Sequence, residues 1–351
     1  MKRVGILGLP QSGKTTVFEI LMQGAGSAAP SAAAREQIGM VRVPDPRVDR
    51  LSALYQPKKT TCTQIQFVDS AAAGHTSARA AAKGPDLFSG VRNCDALLLV
   101  VRDFESTAIP APGGVDAARD LKTLEAELIL SDLAIVENRL EKVAKELRIG
   151  KKQNEREHTL LTRLKSLLES ETLLGGQKFD ADEQRLLRGF QFLTLKPLLA
   201  VYNQDDDATR PAPESSGALP TVALRAHLER EIVGLPESER AAFRAELGIA
   251  EDGLSMLIRA CYRLLGLISF FTVGPDEVRA WTIRQGETAV DAAGEIHSDL
   301  AKGFIRAEVI GWEKLLELGG HSKAREKGAL RLEGREYVVA DGECLEIRFN
   351  K

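Results

Sequence analysis

Apolar positions along the chain follow two different periods. Residues 4–7 form a short unbroken apolar run, Ile65 and Phe67 alternate with polar neighbours within 63–69, and the runs at 96–102 and 195–201 are nearly continuous. Short continuous runs bounded by turns read as the buried strands of a parallel sheet. From 116 to 192 the period becomes helical. Leu133, Leu140 and Leu147 recur every seven residues, Ile129, Val136 and Val143 sit between them at the a/d offset, and Leu160, Leu164, Leu167 and Leu168 follow after a break. This pattern predicts an antiparallel helical hairpin. After a further helical stretch at 237–265, short β runs return at 270–272, 280–283, 304–310, 337–339 and 345–349, divided by Gly-containing turns and one helix at 289–300. The order predicts an α/β domain interrupted by helices, followed by a compact α+β module.

The 351 residues exceed one ordinary domain and suggest two or three. A hydrophobic content of 44% and a charged content of 28% exclude a disordered chain. With 47 Lys and Arg against 50 Asp and Glu, the net charge is -3, so any nucleic-acid contact has to be a local patch, and DNA sequence recognition is not expected. Cys62, Cys94, Cys261 and Cys344 are far apart and lack His at metal-ligand spacing, which argues against a disulfide framework or a zinc site. The first apolar run breaks at Gly8 and Pro10, and no later run reaches the ~18 residues of a membrane span, so a soluble cytoplasmic protein without membrane contact is expected.

Immediately after the first strand stand Gly8, Leu9, Pro10, Gln11, Ser12, Gly13, Lys14 and Thr15, which fit G-x-x-x-x-G-K-[ST] at every fixed position. The glycines let consecutive backbone N–H groups face a phosphate, and the helix beginning at Thr16 adds its positive dipole end. Lys14 then reaches the β and γ phosphates of a nucleoside triphosphate, and the Thr15 hydroxyl reaches Mg²⁺. Asp69, ending the strand at 63–69, is the second Mg²⁺ support. In GTPases this Asp opens D-x-x-G, but here Ala72 stands in place of the glycine and Ala73 in place of the water-orienting Gln. Hydrolysis is therefore expected to be slow, and no catalytic residue is assigned. His75 offers two readings, a water-positioning group or a mobile loop histidine.

Asn203 and Asp206, after the strand at 195–201, have the N-x-x-D spacing with which GTPases read guanine, although Asp205 and Asp207 flank the candidate carboxylate. At the hairpin tip Lys142, Lys145, Arg148, Lys151, Lys152 and Arg156 outnumber Glu141, Glu146 and Glu155, which suits either a solvated face or contact with RNA phosphate. His297 and His321 lack a partner carboxylate or metal spacing and are expected to be surface or packing residues.

Together these residues resemble the Obg-like ATPase (YchF) family of P-loop GTPase relatives over nearly the whole chain. The P-loop carries the resemblance along with 43–49 (VPDPRVD), 124–132 (LEAELILSD), 193–197 (LTLKP), 278–283 (VRAWTI) and 302–310 (KGFIRAEVI). The resemblance implies a Ras-like α/β P-loop domain at 1–115 and 196–266 with a mostly parallel sheet. It further implies an inserted α-helical coiled-coil hairpin at 116–195 and a C-terminal β-grasp (TGS) domain at 267–351. It also implies Mg²⁺-dependent NTP hydrolysis and association with the ribosome or rRNA through the coiled coil and TGS domain. Three positions depart from the family pattern: Ala33 where a switch Thr is expected, Ala72, and Asp206 where the family carries Glu in an N-x-x-E linked to adenine. GTP and ATP both stay open as the ligand. So do two roles, a slow NTPase switch and a nucleotide-binding scaffold that does not hydrolyse.

Overall fold

The computed structural model describes residues 1–24, 36–70, 88–111, 113–150, 154–208, 219–249 and 252–350. The chain divides into two units, Met1–Val41 with Gln66–Leu257, and Arg42–Ile65 with Ile258–Lys351.

The first unit is built on β1 (Arg3–Gly8), β2 (Glu36–Arg42), β4 (Gln64–Ser70), β5 (Ala96–Asp103), β6 (Leu198–Gln204) and β7 (Thr221–Leu224), in sheet order β2-β4-β1-β5-β6-β7. β1 is parallel to β4 and β5, β5 to β6, and β6 to β7. The register sets Ile6 opposite Asp69, Gly8 opposite Val100, and Arg102 opposite Asn203, so the carboxyl ends of four strands come together where ligands bind in open α/β sheets. Continuous apolar sequence is explained by burial on both faces: Ile6, Leu97, Leu98 and Val201 are inaccessible to solvent. The helix α1 (Lys14–Gly24) follows the loop after β1.

The short helix α3 (Ser89–Arg92) precedes β5, and the 32-residue helix α4 (Ala117–Arg148) follows it. Asp116 caps α4 by accepting from Arg119 N. α4 serves two cores. Leu121, Leu124 and Leu128 pack with the sheet residues Leu97, Leu99 and Ala200, whereas Ile129, Val136 and Val143 pack with Leu160, Leu161, Leu164 and Leu168 of α5 (Glu155–Glu169). The pairs Glu146–Asn154, Arg139–Glu157 and Glu137–Lys165 step in opposite directions along α4 and α5, so the hairpin is antiparallel as its period predicts. Asp132, inside this apolar stripe and fully buried, accepts from Leu193 N (3.1 Å), Thr194 N (2.8 Å), Thr194 Oγ1 (2.8 Å) and Arg92 Nη1 (3.1 Å). Two stretches far apart in sequence, 124–132 and 193–197, are thereby joined. The unit continues through α6 (Ala181–Leu187), α7 (Ala226–Gly234), α8 (Glu237–Glu246) and the start of α9 (Gly253–Leu264).

The second unit contains α2 (Pro46–Tyr55), β3 (Lys59–Thr61), β8 (Leu267–Val273), β9 (Glu277–Arg284), β10 (Phe304–Gly311), β11 (Arg331–Glu333) and β12 (Glu343–Phe349). Its sheet order is β11-β10-β12-β8-β9-β3. On one face Phe270, Ile283, Phe304 and Val309 pack with Ala289, Ala292 and Ala293 of α10 (Ala289–Ile296). On the other, Phe271, Val278 and Cys344 pack with Val48 and Leu51 of α2 and Leu315 of α12 (Trp312–Leu318). The segment 42–65, placed with the nucleotide domain by sequence, lies in this unit instead. β3 pairs in parallel with β9, and Arg47 bridges Asp45 (2.8 Å) and Asp341 (2.7 Å), while Asp341 also accepts from Ser269 N.

Two local expectations for this unit are corrected. The helix expected at 289–300 breaks at His297, whose extended backbone separates α10 from α11 (Ser298–Lys302). Residues 337–339 make one isolated bridge, Thr288 to Val338, because Tyr337 N turns back to Gly334 O. The expected fold class, an α/β P-loop domain with an inserted helical hairpin and a C-terminal β-grasp module, is otherwise observed. All four cysteines are free, and among the described residues no helix is long and apolar enough to cross a membrane.

Candidate nucleotide-binding site

At the carboxyl edge of the parallel sheet lies a cavity of about 680 Å³. Gly8, Leu9, Pro10, Gln11, Ser12, Gly13, Lys14, Thr15, Thr16, Asp69, Asn203 and Asp206 all line it, so the fold assembles every sequence-predicted site residue in one place. The loop between β1 and α1 is curled by left-handed backbone at Gln11 (φ 65°) and Gly13 (φ 87°). Such a curl turns successive N–H groups toward one concavity, the arrangement that holds phosphate oxygens. Each glycine has a distinct reason. A Cβ on Gly8 would meet Val100 O at 2.8 Å, and one on Gly13 would overlap the Asn203 side chain besides straining φ.

Asn203, 5% exposed, donates from Nδ2 to Ser12 O (3.1 Å) and accepts at Oδ1 from Ala226 N (3.1 Å). It therefore pins the phosphate loop to the start of α7. Lys14 Nζ lies 2.5 Å from Asp69 Oδ1, with side-chain exposures of 11% and 5%. The hydroxyl of Thr15 and the carboxylate of Asp69 are hard oxygen donors of the kind Mg²⁺ takes, one or two from protein with phosphates and water completing the shell. Ser12 Oγ is buried without a hydrogen-bond partner, a polar atom left over for a ligand or water. Curl, lysine, orphan hydroxyl and oxygen pair fit a Mg²⁺-bound triphosphate.

Sequence reading missed the wall. Arg102, 5% exposed, donates from Nε to Phe104 O (3.1 Å) and from Nη2 to Ile109 O (2.5 Å), and stacks 4.6 Å from the Phe104 ring centroid. It holds the 104–109 loop, whose Phe104, Glu105, Ser106 and Ile109 line the cavity. The available signal was an arginine ending an otherwise apolar strand. Asp205 Oδ1 accepts from Glu105 N (3.1 Å). Asp206 Oδ1 accepts from Leu228 N (2.9 Å), and its Oδ2 lies 2.6 Å from His227 Nδ1, so Asp205 and Asp206 each hold neighbouring backbone in place. His227 and Arg230 of α7 also line the cavity, and no motif announced them. Ala33, Ala72, Ala73, His75, Lys151 and Lys152 lie outside the described residues.

A second charged cluster lies in the other unit. His321, expected to lack a partner carboxylate, stands 3.4 Å from Glu346 and near Glu308, and burial pulls its imidazole below the usual value. Arg325 and Arg348 occupy the same carboxylates, at 2.6 Å and 3.1 Å from Glu308, which makes the cluster an ion-pair network. His297 Nδ1 accepts from Asp299 N (3.2 Å) and caps α11. At the hairpin tip Arg156 is bound by Asp182 (2.5 Å) and Asp180 (3.1 Å), which neutralises part of the basic run.

Sheet, loop and cavity define a P-loop nucleotide-binding protein. Comparison with known proteins gives the family. Residues 267–350 match the YchF-GTPase_C family, described as a protein of unknown function (DUF933). The chain is 39% identical over 360 residues to the ribosome-binding ATPase YchF of Bacillus subtilis (strain 168), covering 99% of this chain and 98% of that protein. It is 37% identical to the protein of the same description from Haemophilus ducreyi, with 99% of each covered. The solved structure of the Schizosaccharomyces pombe YchF GTPase superposes with a TM-score of 0.81 at 27% identity, covering 99% of this chain and 97% of that one. The chain belongs to the YchF family.

Proposed function

We propose that the protein binds a purine nucleoside triphosphate with Mg²⁺ in the cavity above β1, and acts as a slow, ribosome-associated NTPase switch in the cytoplasm. The observation that carries this reading is the set of Gly13, Asn203, Lys14 and Asp69, in which a curled loop is fixed from behind and its lysine faces a Mg²⁺-type carboxylate. When bound, Mg²⁺ neutralises charge developing on the β and γ oxygens. The chain's own part is to cradle phosphate with loop N–H groups, place Lys14 beside it, and hold the loop rigid through Asn203. Curated relatives named as ribosome-binding ATPases support the ribosomal partner, and relatives named both ATPase and GTPase leave the base open between ATP and GTP. In this reading the nucleotide domain is 1–115 with 196–266, less the segment 42–65 that packs in the second unit. The helical insert at 116–195 and the TGS module at 267–351 carry ribosome or rRNA contacts.

A second reading is a nucleotide-binding scaffold without turnover, favoured by Ala72 and Ala73 after Asp69. Turnover by the full chain with and without purified ribosomes separates the two. A rate that rises many-fold with ribosomes supports the switch, and a rate indistinguishable from buffer in both conditions supports the scaffold. Co-sedimentation with ribosomes tests the partner independently, and no co-sedimentation with any nucleotide state overturns it.

A further inference from the structure

If phosphate occupies the curled loop, the groups left to meet a base are those of the 104–109 loop, of residues 203–206 and of α7. Among them Asp206 is suited to guanine, whose N1–H and amino group a carboxylate accepts side by side. In this structure both oxygens of that carboxylate are engaged. Leu228 N donates to Oδ1 at 2.9 Å, and His227 Nδ1 lies 2.6 Å from Oδ2. Arg225 holds the Asp206 carbonyl from the same side at 3.3 Å. The pair is not core: the side chains of His227 and Asp206 are 57% and 43% exposed, and both line the cavity.

We propose that His227 is a specificity-determining residue, which occupies the Asp206 carboxylate and thereby biases the site against guanine. The backbone bond from Leu228 leaves Oδ2 as the oxygen whose availability a side chain controls. A guanine that would bond Asp206 has to compete with His227 for Oδ2, while a base that makes no demand on this carboxylate does not. Hydrogen bonds to charged groups are strong enough for that exchange to discriminate between purines. The inference rests on the nucleotide reading of the cavity.

The test measures dissociation constants of non-hydrolysable ATP and GTP analogues with Mg²⁺ for the full-length wild type, His227→Ala and His227→Asn. In His227→Ala the GTP-to-ATP affinity ratio is expected to rise about tenfold, which is ~1.4 kcal/mol. His227→Asn presents an amide N–H near the position of Nδ1 and is expected to keep the wild-type ratio. On an Asp206→Asn background, adding His227→Ala is expected to leave the ratio unmoved. An unchanged ratio in His227→Ala, or the same change in His227→Asn, overturns the proposal. If the wild type binds neither analogue, the nucleotide site itself is refuted and the proposal falls with it. That failure is distinguishable from an unmoved ratio at intact affinity.

Discussion

Lys14 and Asp69 form an ion pair at 2.5 Å, although the proposed nucleotide site gives each of them a different partner. In the proposed nucleotide site Lys14 turns to phosphate and Asp69 to Mg²⁺, so ligand binding and rupture of this pair are coupled. In Asp69→Asn the competitor for Lys14 loses its charge, and a support for Mg²⁺ is lost with it. Titration with a triphosphate analogue is expected to show affinity without Mg²⁺ equal to or above wild type, and little further gain when Mg²⁺ is added. A variant whose affinity still rises strongly with Mg²⁺ would remove Asp69 from the metal's shell.

Asn203 links the phosphate loop to α7 through two buried hydrogen bonds. Replacing it with Ala strands Ser12 O and Ala226 N, at a cost of about 1–3 kcal/mol for each buried group left unpaired. Urea unfolding is expected to show that loss, together with at least tenfold weaker triphosphate binding from a loosened loop. Gly13→Ala meets both left-handed backbone and the Asn203 side chain, and is expected to abolish binding. Wild-type affinity in either variant contradicts the role given to this contact.

Asp132 is the polar exception in the apolar stripe of α4. In Asp132→Ala the Arg92 guanidinium stays buried without its carboxylate, a change that typically costs about 3–5 kcal/mol. Thermal and urea unfolding are expected to show a loss of that size, and adding Arg92→Met to the variant is expected to recover part of it. No recovery in the double variant would show that the lost bonds to Leu193 and Thr194, not the stranded charge, dominate.

Thr288 donates to Asp291 from both its N–H (2.9 Å) and its hydroxyl (2.7 Å) at the start of α10. The hydroxyl bond, with the backbone bond behind it, holds the Asp291 carboxyl below its ordinary 3.8. Because the folded state binds this proton less readily than the unfolded chain, the contribution is present above pH 3.8 and is lost as pH falls through the lowered value. Thr288→Ala is expected to lower stability at neutral pH by about 1 kcal/mol and to leave a smaller acid-side decline. Denaturant curves at neutral and acid pH check it, and parallel pH profiles for the two proteins would contradict it.

The phosphate loop was legible because everything that shapes it is local: two glycines, a lysine and a hydroxyl between a strand and a helix. The hairpin was legible for a similar reason, since its heptad apolar stripe is the surface its two helices bury together. Asp132 was not, because nothing near it in sequence points to Arg92 or Thr194, its partners 40 and 62 residues away. The place of 42–65 failed for the same reason, being set by β3 meeting β9 more than two hundred residues on. Spacing found Asn203 and Asp206 but not their work, as the N-x-x-D pattern cannot tell a base reader from a side chain that caps a following helix. His227 had no signal beyond its place two residues into that helix's first turn.

The most direct measurement is calorimetric titration of the nucleotide-stripped full-length protein with non-hydrolysable ATP and GTP analogues, each with Mg²⁺ and with EDTA, beside Lys14→Ala. The expected result is tight binding of at least one purine triphosphate, weakened by EDTA and lost in Lys14→Ala. Equal affinity in Lys14→Ala, or no binding of either analogue to the wild type, would contradict the assignment of the cavity above β1 as a nucleotide site.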